Sequence, residues 1–197
     1  MNTLVIYAHP NPTSFCQALT AEIARVLEAG GHAVRIRDLY ALGFEPVLQV
    51  ADFEAFAAGR VPEDIAAEQA QIRWAEVLVF VYPMWWYGWP AILKGYIDRV
   101  FSHGFAYEDT PTGPRGLLAG KAAFVVQTAG ATDEVLASTR QAEVHRVAMD
   151  EGTLGFNGIT TLGHVVLGGI GMASPAARTA LLQQTAGDVA AAVATRA

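Results

Sequence analysis

One stretch, Val77–Phe101 (VLVFVYPMWWYGWPAILKGYIDRVF), constrains this chain more than any other. Val77–Tyr82 is an unbroken apolar run, the pattern of a central parallel strand buried on both faces. Pro83 ends it, because a proline offers no N–H to the ladder. From Ala91 to Phe101, Ile92, Tyr96 and Val100 recur four apart, with Lys94, Asp98 and Arg99 on the other side, which predicts an amphipathic helix. Between the two lie Met84, Trp85, Trp86, Tyr87, Gly88 and Trp89. Rings so placed serve either as packing and subunit contact, or as a shelf for a flat apolar ligand. The end of a strand is where open α/β sheets bind ligands.

The rest of the chain repeats the strand–loop–helix theme. Thr3–Ala8 reads as the first strand, and His9-Pro10-Asn11-Pro12 as the loop that stops it. Thr13 or Ser14 caps a helix carrying Leu19, Ile23, Val26 and Leu27 on one face, halted by Gly30 and Gly31. Ala33–Arg37 is a second strand. The loop after strand one ends at a helix N-terminus with free N–H groups and hydroxyls, which suits either a phosphate or an ordinary capped turn. No GxGxxG fingerprint is present.

Residues 41–62 form a long excursion with one short helix near Asp52–Ala58, and a helix follows from Pro62 to Trp74 with Gln69 on its inner stripe. Glu108–Gly120, rich in Thr, Pro and Gly, reads as a loop. Lys121–Gln127 is a fourth strand, followed by the small residues Thr128–Thr132. Asp133–Met149 is expected to be helical and the glycine-rich Glu151–Thr161 partly irregular. Leu162–Leu167 is a fifth strand, and Ser174-Pro175 opens the last helix.

Five strands alternating with helices predict an α/β, doubly wound, five-stranded parallel sheet with helices on both faces. Without the glycine fingerprint, the order 2-1-3-4-5 is expected, so the loops after strands one and three meet at the switch point and the loop after strand four flanks them. Length makes residues 1–197 a single domain. Apolar residues reach 52% against 16% charged, which favours an oligomer. The net charge of −6 argues against a general nucleic-acid binder. A lone cysteine, Cys16, excludes an intrachain disulfide and makes a zinc cluster unexpected; no spacing suggests a metal site. No signal-peptide pattern or membrane-length apolar run is seen, so a cytoplasmic protein, not membrane-embedded, is expected.

The segments AHPNPTSF (8–15), RDLYALGFEPVL (37–48), PEDIAAEQ (62–69), PMWWYGWPAILKGYIDRVF (83–101), GFAY (104–107), QTAG (127–130) and SPAAR (174–178) resemble, in order and over nearly the whole length, the flavodoxin-like NAD(P)H:quinone oxidoreductases, the DT-diaphorase-like branch. FSHGFAY is also similar to the smaller bacterial members, including ancillary flavoproteins of glutathione-gated potassium efflux. The resemblance implies a flavodoxin-like fold, a bound flavin, a homodimer with active sites at its interface, and ping-pong hydride transfer from NAD(P)H to quinones. By position, His9, Thr13, Ser14, Phe15 and Cys16 would surround the phosphate and ribityl chain. Pro83, Met84, Trp85 and Trp86 would cradle the ring, largely through backbone N–H groups. Gln127, Thr128, Ala129 and Gly130 would close its other edge.

Phe15, Gln69 and Arg178 match positions that serve the adenosine and pyrophosphate side in FAD-binding relatives; the short excursion before Pro62 argues the other way. FAD is favoured over FMN. Trp85, Trp86, Tyr87, His103 and Tyr107 would contact substrate. The tyrosine and histidine that assist proton movement in larger members fall here near Val135 and Gln141. His145 is therefore the candidate catalytic group, and otherwise a surface residue. His32 is expected at the surface and His164 to be structural. The alternatives are a regulatory flavoprotein subunit of a potassium-efflux transporter and a flavodoxin-type electron carrier.

Overall fold

The computed structural model describes residues 1–196. Five parallel strands form one sheet in the order β2-β1-β3-β6-β7: β1 (Asn2–Tyr7), β2 (Ala33–Asp38), β3 (Val77–Pro83), β6 (Ala122–Thr128) and β7 (Thr160–Leu167). Counting only these strands, this is the expected 2-1-3-4-5 order. β3 lies at the centre and is buried at every position, which is why it reads as a continuous apolar run. Pro83 ends β3 as expected, as its last residue in register with Thr128, since a proline at a strand end needs only its carbonyl.

Helices cover both faces. α1 (Phe15–Ala29) and α7 (Pro175–Ala194) pack over the Val5, Val79, Val81 and Val126 side. α3 (Glu63–Trp74) and α4 (Ala91–Val100) contribute to the core that holds Leu4, Leu78, Phe80 and Tyr82. The alternation of strand side chains thus builds two cores from one sheet. α2 (Val50–Ala57) is the short helix expected in the excursion.

The excursion is pinned rather than loose. Arg99, 5% exposed, donates from Nε and Nη2 to Asp52 and from Nη1 to Asp64 and the carbonyl of Glu45. Gly95 is obligatory in this packing: a Cβ there would lie 2.0 Å from the Pro46 carbonyl oxygen. Arg37 on β2 pairs with buried Glu68 on α3.

One expectation fails and one is refined. Glu108–Gly120 is not a plain loop: β4 (Tyr107–Thr110) and β5 (Gly113–Gly116) pair as an antiparallel ribbon around a two-residue turn, with Gly113 at φ 116°. Thr, Pro and Gly hid a hairpin whose side chains alternate too weakly to be seen. Asp133–Met149 is helical as expected, but in pieces. It divides into α5 (Asp133–Ser138), α6 (Gln141–Arg146) and a π-helix, Val147–Gly155, that runs on into the stretch expected to be partly irregular. The break at Thr139 follows from Ser138 and Thr139, whose hydroxyls both donate back to the Val135 carbonyl and compete with the helical ladder.

Candidate functional site

At the carboxyl ends of β1, β3 and β6 the structure opens a cavity of about 460 Å³, lined by His9, Pro83–Trp86, Thr128–Gly130, Ile170 and Gly171. The three expected loops do converge on it. The fourth wall, Ile170–Gly171 after β7, carried no sequence signal beyond its glycines. Arg178 on α7 donates to the Gly171 carbonyl at 3.3 Å and so tethers this wall.

The loop after β1 gathers donors that suit an anion. Asn11 Oδ1 accepts from the N–H and the hydroxyl of Thr13. Ser14 Oγ is the N-cap of α1, accepting from Gln17 N–H, and also bonds the Tyr7 hydroxyl. The Thr13 hydroxyl proton is thereby used inside the turn, while Ser14 Oγ accepts at the helix start and has its own proton available. What remains open are the N–H groups of Phe15 and Cys16, which have no acceptor among the described residues. α1 has fifteen residues and no acidic side chain in its first turn. Its positive end is therefore left for an external anion. His9 Nδ1 accepts from Asn11 N–H at 3.0 Å, which leaves Nε2 to carry the proton of the neutral ring. Partial burial holds its pKa below the ordinary value. Phe15 is half-buried against the α1–α7 core. Cys16 is buried; desolvation pushes its thiol up to about 11, and its Sγ lies 3.2 Å from Thr128 Oγ1. It ties the first loop to the third as a packing residue, not a thiolate.

The loop after β3 is a tight two-residue hairpin. Trp85 and Gly88 exchange both backbone hydrogen bonds, at 3.1 and 2.8 Å. Trp86 and Tyr87 between them have φ of 52° and 56°. These are the signs of a type I′ turn, which favours Asn and Gly. Two bulky aromatics there are strained, and strain of this kind gathers at ligand sites. Trp86 is 99% exposed. The turn also revises the expected donors: Met84 N–H is taken by the Thr128 carbonyl and Trp85 N–H by Gly88. The open N–H groups are those of Trp86 and Tyr87.

Four expected site residues lie elsewhere. Gln127 is buried within β6, and its side chain bonds His145 and His164. Strand alternation turns it away from the cavity that Thr128 lines. Gln69 lies on α3, where Nε2 donates to the Val100 carbonyl and Ser102 Oγ at the far end of α4. His103 and Tyr107 stack edge-to-face, 5.5 Å apart, at a separate apolar cavity with Phe53, Phe56 and Phe101. A ten-residue α4, roughly 15 Å long, separates them from Trp85–Tyr87. One chain does not unite the expected substrate residues.

His145 is not a surface residue: it is 1% exposed. Its Nδ1 lies 2.6 Å from Gln127 Nε2 and its Nε2 has no partner. Its ring faces Tyr82 and, edge-on, Trp89. Burial, and secondarily the nearby His164, lower its pKa to about 4. His164 is tied into the same chain: Nε2 to Gln127 Oε1 at 2.9 Å, and Nδ1 to Asp150 Oδ1 at 2.8 Å. His32 is half-buried beside the N-terminal amine. Among the described residues no cluster of His, Cys, Asp or Glu could hold a metal ion, and no helix is long and apolar enough to cross a membrane.

The donor set suits a flavin: open N–H groups for a phosphate at the start of α1, a strained aromatic hairpin for a flat ring, and a cavity of ligand size lined by that hairpin and by His9. Residues 1–193 match the family described as flavodoxin-like fold. A Haemophilus influenzae protein named "Uncharacterized NAD(P)H oxidoreductase" is 45% identical over 122 residues, covering 61% of this chain and 60% of that protein. The chain thus spans about three fifths of that curated relative's length. NAD(P)H dehydrogenase [quinone] 1 of Cavia porcellus is 31% identical, over 91% of this chain and 72% of its own. The solved NAD(P)H:quinone oxidoreductase from Methanothermobacter marburgensis superimposes with a TM-score of 0.85 at 30% identity, covering 96% of each chain.

Proposed function

The chain belongs to the flavodoxin-like family of NAD(P)H oxidoreductases, and we propose that it is a flavin-dependent NAD(P)H:quinone oxidoreductase acting by ping-pong, two-electron transfer. The observation that carries the reading is the strained Trp86–Tyr87 turn facing the three-loop cavity. It leaves two N–H groups open beside exposed rings, which is costly unless a flat ligand uses them. A bound flavin would supply hydride acceptance from the nicotinamide and hydride donation to the quinone. The chain's part is positioning. Phe15 and Cys16 N–H would hold the phosphate, and Thr128–Gly130 with Ile170–Gly171 would wall the ring. Trp85, Trp86 and Tyr87 would stack nicotinamide and acceptor in turn and exclude water.

The cofactor is proposed to be FAD rather than FMN, with Arg178 on the pyrophosphate side. Gln69 and Gln127 are withdrawn from direct contact within one chain. His145 is proposed as a proton-bearing group behind the wall. A homodimer is proposed because His103 and Tyr107 face an apolar cavity distant from Trp86; a second copy would bring such a pair over the exposed rings. A single flavin-binding domain and a cytoplasmic location complete the proposal. A flavodoxin-type carrier is less well supported, since a carrier needs no aromatic slot for a small acceptor.

The test is an absorbance spectrum of the purified protein, then heat release and chromatography of the chromophore. Flavin bands bleached by NADH or NADPH and restored by a quinone are expected. A protein that stays colourless with both flavins would sink the reductase and leave only the fold.

A further inference from the structure

Beyond the C-terminal end of α4 lies another cavity, of about 270 Å³, which shares no residue with the cavity of the three loops. α2 and the turn after it supply Phe56 and Arg60 to its wall. α3 supplies Gln69 and Arg73, four apart on one helix face, and the segment after α4 supplies Ser102 and Phe105. The chain as a whole carries a net charge of −6, yet no aspartate or glutamate lines this cavity.

Its two arginines are unpaired. Arg25, Arg37, Arg99, Arg115 and Arg140 each meet a carboxylate; among the described residues, Arg60 and Arg73 meet none. The Arg73 guanidinium lies 4.8 Å from the centroid of the Phe105 ring. That contact holds the cation at the wall while its N–H groups stay without an oxygen acceptor. A pair of cations with free donors beside one hollow is a set that an oxyanion completes.

The floor says which oxyanion. Gln69 is 1% exposed and Ser102 7%. Gln69 Nε2 donates to the Val100 carbonyl and to Ser102 Oγ, both at 3.1 Å. A carbonyl only accepts, so the amide has one orientation, and both its N–H groups are used. Gln69 Oε1 meets no donor among the described residues. Unlike His145 Nε2 and Asn157 Oδ1, it is not sealed from solvent, so it opens on the cavity that Gln69 lines. Ser102 Oγ accepts from the amide and keeps its own proton to give. An occupant that satisfies this floor must both accept hydrogen bonds and offer one hydrogen to Oε1.

We propose that this cavity is a second ligand site, built for a phosphate monoester that carries one proton on its phosphoryl group. The bare phosphoryl oxygens accept from Arg60, Arg73 and the Ser102 hydroxyl, and the P–OH donates to Gln69 Oε1. A sulfate ester has nearly the same shape and no proton to give, so Gln69 Oε1 sets an oxygen against an oxygen and discriminates against it. The volume approaches the roughly 300 Å³ at which ligand pockets begin, more than a phosphoryl group needs. Phe56, Val61 and Phe105 give the remaining wall an apolar face for the body of the ester. The site makes and breaks no bond, and it stands apart from the reductase reading.

Titration calorimetry tests it at about pH 6, where roughly half of a phosphate monoester holds the proton. The purified protein, first saturated with flavin, is titrated with phenyl phosphate, phenyl sulfate and inorganic phosphate. Phenyl phosphate is expected to bind about tenfold more tightly than phenyl sulfate, and more tightly than inorganic phosphate. Arg60→Met and Arg73→Met should each weaken it roughly tenfold, the effect of losing one charge-assisted partner, and Arg60→Met should leave quinone reduction unchanged. Gln69→Met should erase the preference over the sulfate. If that variant does not fold, Ser102→Ala should weaken phenyl phosphate a few-fold and keep the preference. Equal affinity for the two esters overturns the role of Gln69 and with it the inference. Inorganic phosphate binding as tightly as phenyl phosphate overturns the ester. No binding, or binding that both arginine variants leave unchanged, overturns the site. A protein that takes up no flavin sinks the reductase alone, since the arginine variants still decide this cavity.

Discussion

The two ends of the segment Val77–Phe101 are built on opposite terms. Its helical end is over-determined: Arg99 meets two carboxylates and a backbone carbonyl, and Gly95 lets Pro46 sit directly on the helix. Its hairpin end is under-supported, with two aromatics in left-handed backbone and Trp86 almost fully in solvent. The contrast shows how a scaffold can hold strain at a site: the strand and helix flanking the hairpin are fixed well enough that four residues between them have nowhere easier to go.

That comparison can be broken most forcefully at Arg99. Arg99→Met should destabilise the fold by about 3–5 kcal/mol, because buried Asp52 is left charged without its partner; a urea midpoint equal to wild type would dissolve the anchored end. Gly95→Ala comes next, with a loss of roughly 1–3 kcal/mol as α4 and the Pro46 backbone are forced apart, read by the same melt. At the hairpin the sign should reverse. Replacing Trp86-Tyr87 with Asn-Gly should raise the stability of the flavin-free protein by about 1 kcal/mol while weakening flavin retention. If stability falls instead, the turn is not strained.

A pH slope from His145 tests the wall behind the hairpin. Its folded pKa, about 4, lies below its ordinary 6.5. Below pH 6.5 the unfolded chain therefore binds a proton that the folded chain refuses, and stability falls as pH drops from 6.5 towards 4. His145→Phe should flatten that part of the urea-midpoint profile; an unchanged slope would mean that other groups carry it.

Much of this was legible beforehand, for reasons that differ from residue to residue. Val77–Tyr82 announced a central strand because burial on both faces removes every polar residue. The order of the five strands followed from the missing glycine fingerprint, and with it the meeting of His9, Met84 and Thr128 at one edge. The β4–β5 ribbon was not legible, since its residues are half-exposed on both faces and show no alternation. The π-helix was not legible either, because its hydrogen bonds skip a residue without leaving a periodicity to count.

Residue types alone determined the parallel sheet and the crowding of aromatics after its third strand. Both are local matters of hydrophobic period and composition. Only the tertiary structure decided which atoms remain free. It used the Thr13 hydroxyl within the turn, turned Gln127 inward, and left open the N–H groups of Phe15, Cys16, Trp86 and Tyr87. It also joined Asp150, His164, Gln127 and His145 from four separate elements. Hydrogen bonds are short and directional, so their partners are fixed by three-dimensional neighbours that no spacing along the chain records.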